Sequence, residues 1–215
     1  MKSLLITASL LSSWQWFLQD EKETAEDEFI ATLKRESFRD SPEMQAGRAF
    51  EARVRLQNES DDEWLTERDR EDLKATEKHV DEDYINTVLE VSDMTQGGLW
   101  QPSLSEIWDN GTQSFCLYGR LDVLKLGIID VKFSKTFEVG KYRDCPQLRM
   151  YMTLAKNAPD MTFAVSDGRN VMTDYYLRKD VEPIYSLVNQ FWSWLNTYPK
   201  YLSLYVENWK SKGDN

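Results

Sequence analysis

Two dipeptides limit the paths this chain can take: Asn110-Gly111 and Asp167-Gly168. Each joins a residue that tolerates left-handed backbone to a glycine, which is the chemistry of a tight reversal between strands. The flanking sequence suits strands. Residues 99–108 (LWQPSLSEIW) and 113–126 (QSFCLYGRLDVLKL) surround the first turn, and 161–167 (MTFAVSD) and 171–178 (VMTDYYLR) surround the second. Between them Gly127 permits a turn, and residues 128–133 read as a short strand that is apolar and β-branched at its start. Pro102 must sit at the start of its strand or on a sheet edge, because it brings no N–H to a ladder.

Helical patterns lie on both sides of this β-rich centre. Leu10, Leu11, Trp14, Phe17 and Leu18 recur at helical spacing, with Thr7 or Ser9 as the cap. Residues 20–40 are charged and helical in part. Ser41-Pro42-Glu43 opens a helix that places Gly47, Glu51 and Val54 on or near one face. Residues 58–72 read as an acidic loop or exposed helix start. Residues 72–94 read as one helix, with Ala75, Val80, Ile85, Val88 and Leu89 available for burial. Pro146 opens a further helix, and residues 181–210 are helical with a break near Pro199. The order, helices, strands, helix, strands, helix, predicts an α/β or α+β domain in which helices cover a mixed sheet.

The chain has 215 residues, 41% of them hydrophobic and 13% aromatic, so it can bury a sizeable core. No apolar run reaches the ~20 residues that span a bilayer. The start, MKSLLITASLLSSWQWFL, imitates a secretory signal, but Thr7, Ser9, Ser12 and Ser13 interrupt it and no small-x-small site follows. It reads as the first structural element of a cytoplasmic protein with no membrane partner. Cys116 and Cys145 have no metal-ligand spacing and read as small buried thiols. His79, the only histidine, lies in an acidic segment, which removes histidine-based nuclease and triad chemistry.

The net charge of −11 argues against nucleic acid as a partner until its distribution is considered. From Glu59 to Asp83 twelve acidic residues face four basic ones, a net of −8. From Gly119 to Lys156 eight basic residues face four acidic ones, a net of +4. The locally basic stretch carries the chemistry. Asp130 and Lys132 alternate on one strand and so share a face, and Asp122 on the preceding strand can lie close by. D-x-K alone is weak, since Asp20-Glu21-Lys22 and Asp72-Leu73-Lys74 repeat it in charged segments that read as solvated surface. An exposed Asp–Lys pair is the competing account of the third copy. As a site, Asp122, Asp130 and the Val131 carbonyl supply hard oxygens for Mg²⁺, and Lys132 stands by to position water and offset phosphoryl charge.

Taken in order, Gly119-Arg120-Leu121-Asp122, Ile128-Ile129-Asp130-Val131-Lys132 and Gln147-x-x-x-Tyr151 resemble the PD-(D/E)XK nuclease superfamily, with the closest look to its RecB-like and phage lambda-type exonuclease branches. Gly47-Arg48-Ala49-Phe50-Glu51 is similar to the family's upstream G-x-x-x-H/E motif, and the N-terminal ITASLLSSW resembles the helix opening of the RecB-like branch. The resemblance implies a restriction-endonuclease-like α/β fold over 1–215, a central mixed β-sheet flanked by helices, with an acidic insertion at about 58–83. It implies Glu51, Asp122, Asp130 and the Val131 carbonyl as metal ligands and Lys132 as the catalytic lysine. Gln147 and Tyr151 would orient the lysine, a phosphate or the strand. The cofactor implied is Mg²⁺, with Mn²⁺ substituting, and the substrate is DNA, single- or double-stranded and with linear ends. A phage or prophage exonuclease in a bacterial host follows, with a phage recombination partner. Two cysteines cannot hold the iron–sulfur cluster of some RecB-like nucleases, Leu121 stands where the family's motif has proline, and no G-x-x-x-x-G-K-[ST] of a helicase occurs. The alternative is an inactive member of the same fold that binds nucleic acid or protein, with the acidic segment as a DNA mimic. A third reading, an accidental motif in a structural protein, expects Glu51, Asp122, Asp130 and Lys132 to lie apart.

Overall fold

The computed structural model describes residues 3–19, 24–36 and 41–211, and the tripeptide Asp20-Glu21-Lys22 lies outside them. Its framework is the hairpin that turns at Asn110-Gly111. Strands β3 (Ser103–Asp109) and β4 (Ser114–Arg120) pair antiparallel. Asn110 closes the turn by accepting at its side-chain oxygen from the N–H groups of Thr112 and Gln113, while Gly111 takes φ 88°. The same register continues past a bend into β2 (Leu99–Trp100) and β5 (Val123–Leu124). At the bend the backbones remain bonded, Gln101 N–H to Asp122 O at 2.8 Å and Leu121 N–H to Pro102 O at 3.1 Å.

The ribbon changes sheets at that bend. Beyond it, β3 and β4 join β1 (Leu4–Thr7) in the order β1-β4-β3. Before it, β2 and β5 join β6 (Ile128–Phe133), β7 (Asp160–Ser166) and β8 (Val171–Leu177) in the order β2-β5-β6-β7-β8. Both sheets are mixed, with β1–β4 and β6–β7 parallel and the other pairs antiparallel. The expected unbroken strands over 99–108 and 113–126 are therefore each split. Gln101 adopts φ 50° and Pro102 offers no N–H, so the strand cannot run straight through. Pro102 precedes β3, an edge strand, as its missing donor requires.

Helices cover both faces of the sheets. On one face are α3 (Pro42–Asn58) and α5 (Glu82–Thr95). Ser41 caps α3 by accepting from Met44 N–H at 3.2 Å, and Pro42 fills the first turn. Phe50, Val54, Val88 and Val91 from these helices pack on Val123, Val131 and Ala164. On the other face, Ile128, Met161, Phe163 and Val165 meet α1 (Ala8–Gln19), α6 (Pro146–Leu154) and α7 (Tyr185–Thr197). The aromatics of α7 and α8 (Pro199–Asn208) serve that core, as do Phe29 and Leu33 of α2 (Thr24–Lys34). Phe191 and Tyr205 are fully buried, and the Trp209 indole donates to the Leu33 carbonyl at 3.0 Å. Among the described residues no helix is long and apolar enough to cross a membrane.

Three local expectations are corrected. The N-terminal segment begins with β1, which pairs with β4, before Thr7 caps α1 by accepting from Leu10 N–H at 3.2 Å. The single helix expected over 72–94 is two, because α4 (Glu67–Thr76) runs into a 3₁₀ turn and Asp81 starts α5 anew by accepting from Tyr84 N–H at 2.9 Å. That rotates the buried face to Tyr84, Thr87, Val88 and Val91, leaving Ala75, Ile85 and Leu89 exposed and Val80 half-buried. Asp72 is not solvated surface, since it is buried and its carboxylate lies 2.6 Å from the Arg48 guanidinium. The two cysteines are free thiols and half-buried.

Gly119 sets how closely α6 approaches β4. A Cβ at this position would stand 3.0 Å from Cε1 of Tyr151 and 3.1 Å from Cδ1 of Leu154. Gly119→Ala is expected to destabilise the fold by about 1–3 kcal/mol through overpacking, seen as a lower urea midpoint with an unchanged slope.

Candidate active site

Asp122 stands in the bend. β5 pairs with β6 only through Ile128 and Ile129, so the next part of that β6 edge is open to Asp122. There Asp122 Oδ2 accepts from Val131 N–H at 2.9 Å. The N–H and carbonyl of a strand residue point to the same edge, so the Val131 carbonyl lies on the Asp122 side and outside the β6–β7 ladder. The Val131 side chain enters the core under α3 and α5, while Asp130 and Lys132 face the opposite way.

Asp130 is fully buried, and its strand neighbour on β7 is Phe163. The Lys132 ammonium lies 2.6 Å from Asp130 Oδ2, an oxygen with no aligned hydrogen bond. Gln147, in the first turn of α6, donates its side-chain amide to Asp130 Oδ1 at 2.5 Å. Cys145 caps that helix, its Sγ accepting from Leu148 N–H at 3.4 Å, so the start of α6 is fixed where Gln147 needs it. One turn on, the Tyr151 hydroxyl donates to the Arg120 carbonyl at 2.7 Å. Glu51 arrives from α3 on the far side of the bend, where its Oε1 accepts from the Gln101 side-chain amide at 2.9 Å. Asp122, Asp130, Val131, Lys132 and Gln147 thus share one location. Tyr151 braces the neighbouring strand, and Glu51 is joined to the group by its field and through Gln101.

Charge is unbalanced here. Burial pushes the Asp122 carboxyl well above the usual carboxylate range, and the nearby Asp130 and Glu51 charges push it further. Burial also raises Glu51, against the Gln101 hydrogen bond, and the Asp130 charge adds to the rise. Burial works to lower Lys132, but the Asp130 and Asp122 carboxylates outweigh it and hold the ammonium protonated above the ordinary lysine value. Burial raises the Tyr151 phenol, with both aspartates adding to the rise, so it remains a donor. Three carboxylates crowd one ammonium.

This donor set suits a hard divalent cation. It offers carboxylate and carbonyl oxygens with no imidazole or thiolate among them, and one buried carboxylate oxygen lacks an aligned donor. Among the described residues no group of three His, Cys, Asp or Glu side chains is placed to hold a metal ion. Mg²⁺ does not require one, since it is commonly held by one or two carboxylates and keeps several waters.

Two participants carry little signal of their role in the sequence. Arg120 lies inside the G-x-x-D motif at a position the motif leaves open, and its exposed side chain lines the clefts on both sides of the site. Gln101 owes its role to its positive φ, and its only sequence mark is the proline that follows it.

No family model and no curated protein matches this chain. The fold is similar to a crystal structure from Eubacterium rectale named "Putative exonuclease", at 11% identity over 95% of this chain and 82% of that one, with a TM-score of 0.50. The crystal structure of SSO0001 aligns at 12% identity over 76% of this chain and 81% of that one, but its TM-score of 0.37 carries no argument. At such identities the likeness concerns fold alone.

A carboxyl whose pKa is higher folded than unfolded takes up a proton on folding. Its penalty is absent below the unfolded value of about 3.9 and grows as pH rises to the folded value. With chelator present, Asp122→Asn is therefore expected to be more stable than the parent at pH 7, by a margin that shrinks toward pH 4. Thermal melts across that range check this, and a margin independent of pH would contradict it.

Proposed function

We propose that the chain is a metal-dependent deoxyribonuclease of the PD-(D/E)XK kind, an exonuclease of phage or prophage origin that acts on linear DNA in recombination, repair or processing. The observation that carries this reading is the Asp130 carboxylate, buried and held between Lys132 and Gln147, with Asp122 across the open strand edge. The nuclease-like fold is consistent with it.

Asp122, Asp130 and the Val131 carbonyl would hold Mg²⁺ or Mn²⁺, with Glu51 on the opposite side. A cation bound there supplies Lewis-acid stabilisation of the charge gathering on the phosphoryl oxygens and the leaving 3′-oxygen. The chain's own residues do the rest. Gln147 fixes the Asp130 rotamer through Oδ1 and leaves Oδ2 facing Lys132. Lys132, held as an ammonium, orients the attacking water and offsets the negative charge that builds as the water oxygen bonds to phosphorus and the bond to the 3′-oxygen breaks. The water's proton passes to bulk solvent, and the departing 3′-oxygen takes one from it. Tyr151 ties down the Arg120 backbone and so places that guanidinium at the mouth of the site.

Two observations favour the second reading, an inactive binding module of the same fold. One oxygen of Asp122 and one of Glu51 already accept from protein donors, and no group of three carboxylate, imidazole or thiol side chains is placed to hold a metal ion among the described residues. An activity assay separates the two readings. Purified protein with Mg²⁺ or Mn²⁺ is expected to degrade linear DNA, and Asp130→Ala or Lys132→Ala to lower kcat/KM by about 10²–10³ or more while circular dichroism stays native. Full activity in either variant would end the nuclease assignment. Tight binding to a basic protein, with neither cleavage nor Mg²⁺ binding, would favour the module.

A further inference from the structure

A cavity of about 600 Å³ opens on the face of β6 turned away from Asp130 and Lys132. Its walls are the start of α3, the end of α4 with the 3₁₀ turn Glu77–His79, and the chain that leaves β6. None of Glu51, Asp122, Asp130 and Lys132 lines it. Sites for small organic molecules have volumes of about 300–1,000 Å³, with mostly apolar walls and a few polar groups.

The floor of the cavity is aromatic. Phe133 and Tyr84 line it with ring centroids 5.6 Å apart, and behind them Phe50 lies 5.3 Å from the first and 5.6 Å from the second. Ala46 and Ala75 add only methyl groups to the walls, which leaves room for a flat ring. Tyr84 is only 7% exposed, and its hydroxyl accepts from Arg53 Nη1 at 3.4 Å. The hydroxyl's own proton has no acceptor among the described residues, and burial holds the phenol above the ordinary tyrosine range, so it remains a donor. A buried donor left unpaired is costly, and an acceptor on a ligand removes that cost.

The rim is basic. Lys78 and His79 stand on the 3₁₀ turn and Lys135 follows β6, all three exposed. No ion pair engages either lysine among the described residues. The acid on the same rim is Glu43. Its carboxyl is held below the usual range first by its own N–H, then by the Ser41 hydroxyl, and least by Lys135, so it serves chiefly the start of α3. Two lysines against one glutamate leave +1 with His79 neutral, in a protein whose net charge is −11.

We propose that this cavity is a ligand site for a small aromatic acid, its ring lying on Phe133 and Tyr84 and its phosphate or carboxylate at the rim formed by Lys78 and Lys135. The proposal goes beyond the nuclease reading and needs neither a metal nor hydrolysis. The test is calorimetric titration in EDTA with thymidine 5′-monophosphate and with 1-naphthoate. Thymidine and inorganic phosphate, each carrying half of the chemistry, serve as comparisons. At least one of the two aromatic acids is expected to saturate the protein below about 1 mM, with both halves about tenfold weaker or more. The tighter acid tells phosphate from carboxylate. Ala75→Trp, which fills the cavity from an exposed position, is expected to abolish binding while circular dichroism stays native. The double variant Lys78→Ala, Lys135→Ala changes only exposed side chains and is expected to weaken binding about tenfold, the scale of two exposed ion pairs. Arg120→Ala, at the mouth of the candidate active site, should bind like the parent. Three results would each overturn the proposal: no saturation by either acid, unchanged binding in both cavity variants, or binding lost in Arg120→Ala. Thymidine or phosphate binding as tightly as the aromatic acids would overturn it as well.

Discussion

The bend in the long hairpin is the constraint on which the site depends. An unbroken ribbon from Leu99 to Leu124 would belong to one sheet, and Asp122 would be one more strand residue. Because Gln101 turns to a positive φ before Pro102, the ribbon leaves the three-stranded sheet for the five-stranded one, and Asp122 stands at the crossing. The open edge of β6 receives it there, and the Val131 N–H fixes it. The same bend brings the Gln101 side chain to Glu51, which couples α3 to the group. A change in the bend would therefore disturb two carboxylates without touching the strand that carries Asp130 and Lys132.

Electrostatics gives this geometry its meaning. A buried carboxylate is costly unless a partner offsets its charge, and here three carboxylates crowd one ammonium. Such a group gains little for a fold on its own, because a well-packed apolar cluster of similar volume is often at least as stable. A cation bound between Asp122 and Asp130 would relieve the repulsion that raises both Asp122 and Glu51. It would also weaken the hold of Asp130 on Lys132, so the lysine's freedom to serve a water or a phosphate is tied to the same event.

The sequence made some of this legible and hid the rest for physical reasons. Strand β6 was readable because β-branched residues and period-two alternation place Asp130 and Lys132 on one face without help from neighbours. Helix α6 was readable because Pro146 marks its start and Gln147 and Tyr151 are one turn apart. The bend was not, since a positive φ at a glutamine is imposed by tertiary pairing and leaves no local mark beyond the proline. β1 was hidden because its pairing partner lies in β4, far along the chain, and its four residues read as the start of an apolar run that imitates a secretory signal. The break between α4 and α5 was hidden because Asp81, the residue that caps the second helix, is one acid among many in its segment.

The central proposal is that Asp122 and Asp130 hold a divalent cation, and calorimetric titration of Mn²⁺ at pH 7 in two buffers of different ionisation enthalpy tests it most directly. The account expects saturable binding with a heat that differs between the buffers, because protons leave the carboxyls that burial and mutual repulsion have raised. No saturable heat at millimolar Mn²⁺, or the same heat in both buffers, would contradict it.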